Sequence, residues 1–146
     1  MWKYRGEVID SLEDMGAVAP FGFIYEVTHI ESGKKYLGRK QLISVQKKPL
    51  GKKELAELTD KRSSKKKTVI KETDWKTYYG SHPEIKQMIK EGKALEFSRE
   101  ILMFVQTKKQ LTYFEDKYLY MNEVIEPGSI YMNDSISGRF FRKDLL

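Results

Sequence analysis

Two tyrosines and a glutamate stand out in this 146-residue chain as groups whose type and spacing can do chemistry: Tyr25, Tyr36 and Glu115. Tyr25 and Tyr36 fall at matched positions of two short apolar runs joined by turn residues, which brings two phenols onto one face of a hairpin. Lys34, Lys35, Arg39 and Lys40 surround the second tyrosine. Nearby cations favour the phenolate of a group whose ordinary pKa is about 10, so a phenol placed there can take a proton from water. The plainer alternative is packing with a wet hydroxyl, which many of the nine tyrosines must do. Glu115 follows Leu111 by four residues and precedes Tyr118 by three, which puts it at the edge of a helix's apolar stripe. An inward-facing carboxylate needs hydrogen-bond donors, a Lys or Arg, or a divalent cation with waters. Otherwise its stem covers apolar surface while its head reaches solvent.

Composition narrows the classes. At 40% hydrophobic the chain suits one domain of ordinary size, residues 1–146, with a single core. No apolar run is long enough to span a bilayer or serve as an export signal, so a soluble, cytoplasmic protein is expected. Without cysteine there are no disulfides or thiolate metal sites, and two histidines argue against imidazole-bound zinc. A metal here would be a hard one, held by carboxylate and water. The net charge is +6, and residues 47–67 hold nine Lys or Arg against three acids, so the remainder of the chain is neutral with 18 of each. Such a segment suits nucleic acid, through release of counterions from phosphates, or a solvated loop kept soluble by its lysines.

The elements that must position these groups read as β-β-α-β-α. A short helix is expected at 9–15. Residues 21–28 alternate as a strand, 31–34 supply a turn, and 35–39 form the second strand of the hairpin. The basic insertion, about 47–73, is expected to be irregular at 47–51 and 63–67, with a short helix at 52–58. Ser81 caps a helix in which Glu84 completes the capping box and Gly92 stops the stripe of Ile85, Met88 and Ile89. A third strand spans 95–105, with Phe97, Ile101, Met103 and Val105 on one side. Thr107 and Gln110 open a last helix to about 122, buried through Leu111, Phe114, Tyr118 and Met121, and 130–132 suggest a short strand. The fold class is α+β: a small three-stranded antiparallel or mixed sheet flanked by helices.

Taken together, Gly22-Phe23-Ile24-Tyr25, ten further residues, and Tyr36-Leu37-Gly38 resemble the paired motifs of GIY-YIG nucleases. The segment from Asp74 to Ser81 and the ending Tyr131-Met132-Asn133-Asp134 are similar to small phage-encoded members, homing-type endonucleases among them. The resemblance implies a metal-dependent DNA endonuclease, acting in the cytoplasm of the host if phage-encoded. Glu115 takes the place of the family's metal-binding glutamate, for Mg²⁺ or Mn²⁺, and Tyr25 that of a general base acting directly or paired with Tyr36. Gly38, Ser81 and Asn133 support them. Relatives carry a catalytic arginine on a helix beyond the second motif, whereas this sequence has Gln46, Lys47 and Lys48 there. Arg39, Lys40 or a lysine of the insertion then supplies the charge, and strand alternation favours Lys40, on the side of Tyr36 and Gly38.

Double-stranded DNA is the implied partner, its phosphates contacted by Lys47, Lys48, Lys52, Lys53, Lys65, Lys66 and Lys67. No membrane and no obligatory protein partner is expected, and two copies acting together would turn a nick into a double-strand break. The alternative is a catalytically inactive nucleic-acid-binding module on the same fold. A scaffold for protein interaction has no positive support in the sequence.

Overall fold

The computed structural model describes residues 1–58 and 65–146. In chain order it comprises β1 (Trp2–Tyr4), β2 (Glu7–Ile9), β3 (Gly22–His29), β4 (Lys35–Gln41), β5 (Ile43–Pro49), α1 (Lys52–Ala56), β6 (Lys66–Glu72), α2 (Pro83–Lys90), β7 (Phe97–Val105), α3 (Lys108–Met121), β8 (Ser135–Ile136) and β9 (Phe140–Phe141). Contacts divide it into two compact units, Met1–Leu42 with Asp74–Leu146, and Ile43–Thr73.

The first unit holds a mixed five-stranded sheet in the order β2-β1-β7-β3-β4. The class is α+β, as expected, but the sheet has two strands more than the three anticipated. Ahead of the segment expected to be helical at 9–15, Trp2–Tyr4 runs parallel to β7, Arg5 and Gly6 turn with φ of 49° and 85°, and Glu7–Ile9 returns antiparallel. Two positive φ values in a two-residue loop match the twist of flanking strands. What drives the chain there is Trp2, 1% exposed, whose indole N–H donates to the Trp75 carbonyl at 2.7 Å. Only a 3-10 turn, Leu12–Met15, remains of the anticipated helix.

Two cores cover the two faces of this sheet. Phe23, Tyr25 and Val27 face Trp2, Trp75 and Ile85, while Ile24 and Leu37 face Leu111 and Leu119 of α3. β7 serves both because Leu102 is an extra residue between the pairs Tyr25↔Ile101 and Ile24↔Met103. This bulge moves Met103 and Val105 to the α3 side, where unbroken alternation would have kept them beside Phe97 and Ile101. Leu119, not the exposed Met121, closes the buried stripe of α3. Helix α2 starts one residue later than expected: the His82 ring, not Ser81, accepts from the Glu84 N–H.

In the second unit the basic segment is a regular two-stranded antiparallel ribbon, β5 with β6, rather than irregular chain. Residues 52–56 form the short helix expected there. Ser63 and Ser64 lie outside the described residues. Among the described residues no helix is long and apolar enough to cross a membrane.

Candidate active site

Strand β4 is the edge of the sheet and carries the second tyrosine. Register pairs Tyr25 with Gly38 and Val27 with Tyr36, so the phenols are diagonal neighbours on one face, with ring centroids 6.4 Å apart. Two glycines make the space. A Cβ on Gly38 would stand 2.5 Å from the Tyr25 hydroxyl, and one on Gly80 would stand 3.2 Å from the Tyr36 ring and 3.3 Å from the Tyr25 hydroxyl. Gly80 also has φ of 107°, a backbone state that side chains disfavour.

The residues after Gly80 complete the seat of Tyr36. Its hydroxyl is 2.8 Å from Ser81 Oγ, and the His82 ring packs against it edge-on at 5.8 Å. His82 in turn reaches Asp134 at 3.5 Å. Tyr78 stands at right angles to Tyr25, with ring centroids 5.8 Å apart. Beneath that loop Arg99, 6% exposed, donates to the carbonyls of Lys76 and Tyr78 at 2.9 and 2.8 Å and lies between the Trp2 and Tyr79 rings.

The expected cations are distributed differently from a ring around the phenols. Lys35 pairs with Glu26 at 2.7 Å, Lys40 with Asp74 at 2.6 Å while covering the Tyr78 ring, and Lys34 is exposed. Burial instead pushes the Tyr25 phenol well above its ordinary value, helped by Tyr78, Tyr36 and Glu115. Tyr36 is raised too, chiefly by burial, against the lowering effect of the Ser81 hydrogen bond. The expectation of a cation-stabilised phenolate therefore does not hold for the protein alone, because desolvation outweighs charges already paired with carboxylates.

Glu115 and Arg39 occupy the other face of β4, the side on which α3 packs, since Arg39 pairs with Ile24. Arg39 Nε is 3.8 Å from the Glu115 carboxylate, and its Nη1 donates to Thr112 at 2.5 Å. Burial raises Glu115, with Arg39 opposing and Asp116 adding to the effect. Among the described residues this carboxylate has no closer partner than Arg39, and no group of three or more His, Cys, Asp or Glu converges anywhere. A single under-partnered carboxylate fits a hard cation that keeps several waters and takes further ligands from a phosphate. The charge of Glu115 is among the lesser causes that raise both phenols, behind burial.

Asn133, 5% exposed, binds the same strand from its outer edge: its side-chain carbonyl accepts from the Leu37 N–H at 3.1 Å and its amide donates to the Leu37 carbonyl at 2.7 Å. Lys35 meets Tyr131 in a parallel bridge, continued by a 2.6 Å bond from the Met132 N–H to the Lys35 carbonyl. Tyr131 donates to Glu26, which also holds Lys35.

The structure thus brings Tyr25, Tyr36, Gly38, Lys40 and Ser81 together on one face, Arg39 and Glu115 on the other, and Asn133 at the edge. The insertion lysines belong to the second unit: Lys47 and Lys48 in β5, Lys52 and Lys53 in α1, Lys66 and Lys67 in β6, with Lys65 just before it, all exposed. Gly80, Tyr78, Asp74 and Arg99 were not anticipated as part of the site. The run Tyr78-Tyr79-Gly80-Ser81 was the available signal for the first two, whereas nothing local marks Arg99.

A family model described as "Putative endonuclease segE, GIY-YIG domain" matches residues 2–136. No curated protein and no solved structure matches the chain. The matched span begins at the buried Trp2, runs past the Asn133 clamp and ends at Ile136. By that match the chain belongs to the GIY-YIG endonuclease family.

Proposed function

We propose that the chain hydrolyses phosphodiester bonds of double-stranded DNA with one divalent cation, Mg²⁺ or Mn²⁺, held by Glu115. The observation that carries this reading is the arrangement around β4: Tyr25 and Tyr36 stand on one face with ring centroids 6.4 Å apart, and the under-partnered Glu115 carboxylate, with Arg39 at 3.8 Å, stands behind the strand. When bound, the cation supplies Lewis acidity at a phosphate oxygen and offsets the Glu115 charge that both phenols feel. The chain's own groups do the rest. Tyr25, packed edge-on against Tyr78 and seated on Gly38, takes the proton of the attacking water as general base after its own phenolic proton has passed to solvent. Tyr36, fixed by Ser81, stands beside Tyr25 with ring centroids 6.4 Å apart. Lys40 offsets charge growing on the phosphate, and Arg39 stands by the Glu115 carboxylate. The insertion lysines follow the DNA phosphates, giving salt-dependent binding. The product is a nick, or a double-strand break where two copies act together.

One observation favours the alternative of binding without cleavage: burial holds both phenols protonated in the protein alone. Incubation of supercoiled plasmid with Mg²⁺, Mn²⁺ or EDTA, using the wild type, Glu115→Ala and Tyr25→Phe, separates the two. Metal-dependent nicking by the wild type that both substitutions abolish is the expected outcome. DNA retention without cleavage in any metal would establish the binding module.

A further inference from the structure

The ribbon of the second unit has two unlike faces. Seven cross-strand pairs run from Ile43↔Glu72 to Pro49↔Lys66. On the face of Lys48 and Lys67, the Lys67 ammonium is held at 2.6 Å by Glu54 of α1, and Val69 is half-buried. The opposite face carries Val45 directly across from Ile70, 52% and 66% exposed, followed by Lys47 across from Thr68, both exposed. A two-stranded ribbon is at best marginally stable with water on both sides, and two opposed aliphatic side chains left in solvent add nothing to it. Their burial needs an occupant. The lysines around them, in a segment with nine basic residues and three acids, set its sign as negative.

We propose that this face of the β5–β6 ribbon enters the major groove of duplex DNA and reads base edges there. The inference rests on the reading above that duplex DNA is the substrate, and adds how the substrate is selected. A ribbon of seven pairs is about 20 Å long with strands about 4.8 Å apart, dimensions that the B-form major groove, about 12 Å wide, admits. Val45 and Ile70 then have thymine methyl groups to meet. Lys47 can donate to guanine O6 and N7, and the Thr68 hydroxyl can serve either base pair. Lys66, two residues from Thr68 on the same face, can reach a phosphate that flanks the groove. A-form RNA offers no such fit, because its major groove is too deep and narrow for side chains to read.

The test uses the full chain in EDTA, so that binding is scored without cleavage. Duplexes of about 30 base pairs, lightly methylated at guanine N7 with dimethyl sulphate, are partitioned into bound and free fractions. The bound fraction should lack methylated guanines over a patch confined to one groove. Ile70→Glu, a change at an exposed position, should weaken binding by about tenfold or more and erase that patch. Binding that ignores N7 methylation, an Ile70→Glu variant equal to wild type, or equal affinity for duplex RNA would overturn the inference. Plasmid nicking in Mg²⁺ is scored in parallel. Nicking retained without methylation interference removes the ribbon's role and leaves the nuclease reading standing, whereas interference without nicking by the wild type does the reverse.

Discussion

The Tyr25 hydroxyl occupies the space that a side chain on Gly38 would need, 2.5 Å from where a Cβ would stand. That proximity makes the two residues one unit. Gly38→Ala must push the phenol aside, because its ring carbon is only 2.8 Å from the same point and the Tyr25 side chain is fully enclosed. Overpacking of this kind destabilises by about 1–3 kcal/mol. Urea unfolding should show that loss and plasmid nicking should fall sharply, while in a Tyr25→Phe background the same alanine should cost less stability.

Glu115 offers a test whose sign runs against intuition. Burial raises its pKa in the folded state, so its contribution to stability is fully present below the unfolded value and is lost as pH rises through the folded one. At neutral pH the ionised carboxylate is therefore a liability. Glu115→Gln should melt at a higher temperature than wild type at pH 7, the gap closing as pH falls below the ordinary glutamate range, while cleavage disappears. Millimolar Mg²⁺ should raise the wild-type melting temperature and leave the glutamine variant where it was. A variant less stable than wild type at pH 7 would contradict this account.

The two cations after the second motif can be told apart by substitution. Lys40 covers Tyr78, which packs edge-on against Tyr25, while Arg39 meets Glu115 and Thr112 behind the strand. Loss of a group that stabilises transition-state charge costs about 10²–10³ in turnover. Single-turnover rates should place Lys40→Ala in that range and Arg39→Ala well above it, and the reverse order would make Arg39 the working cation.

Asn133 returns both hydrogen bonds of one residue, Leu37, that lies between Tyr36 and Gly38. Asn133→Ala leaves a buried N–H and carbonyl without partners, at about 1–3 kcal/mol for such a group. Chemical denaturation should show a loss of that order, and nicking should weaken because the strand carrying Tyr36 is no longer fixed at its edge. Asn133→Asp keeps the acceptor but sets a carboxylate oxygen against the Leu37 carbonyl, and should be no better than alanine.

Much of the site was legible because its parts are local. Gly22 and Gly38 announce close approach: a Cβ on Gly22 would meet the Lys40 carbonyl at 2.7 Å. Alternation placed Lys40 with Tyr36 and Gly38, and helical spacing put Glu115 at the border of the buried stripe. What escaped is long-range or too short to have a period. Trp2–Tyr4 and Glu7–Ile9 are three residues each, and their place in the sheet depends on contacts with Trp75 and β7. A single inserted residue, Leu102, reverses the facing of a strand without disturbing its composition. Arg99 reads as a solvated charge in sequence, yet aromatic rings and two carbonyls make a buried guanidinium tolerable. The phenol environments were misjudged for a related reason. Sequence shows which cations are near, but not that Lys35, Arg39 and Lys40 already meet carboxylates.

The clamp between Leu37 and Asn133 also sets when the protein becomes competent. Leu37 lies on the strand bearing Tyr36, and the side chain that seals its edge is made 96 residues later. During synthesis the hairpin must wait, its outer rim unsealed, until that stretch has left the ribosome. A product that stops short of residue 133 carries both tyrosines without the side chain that seals the edge of their hairpin.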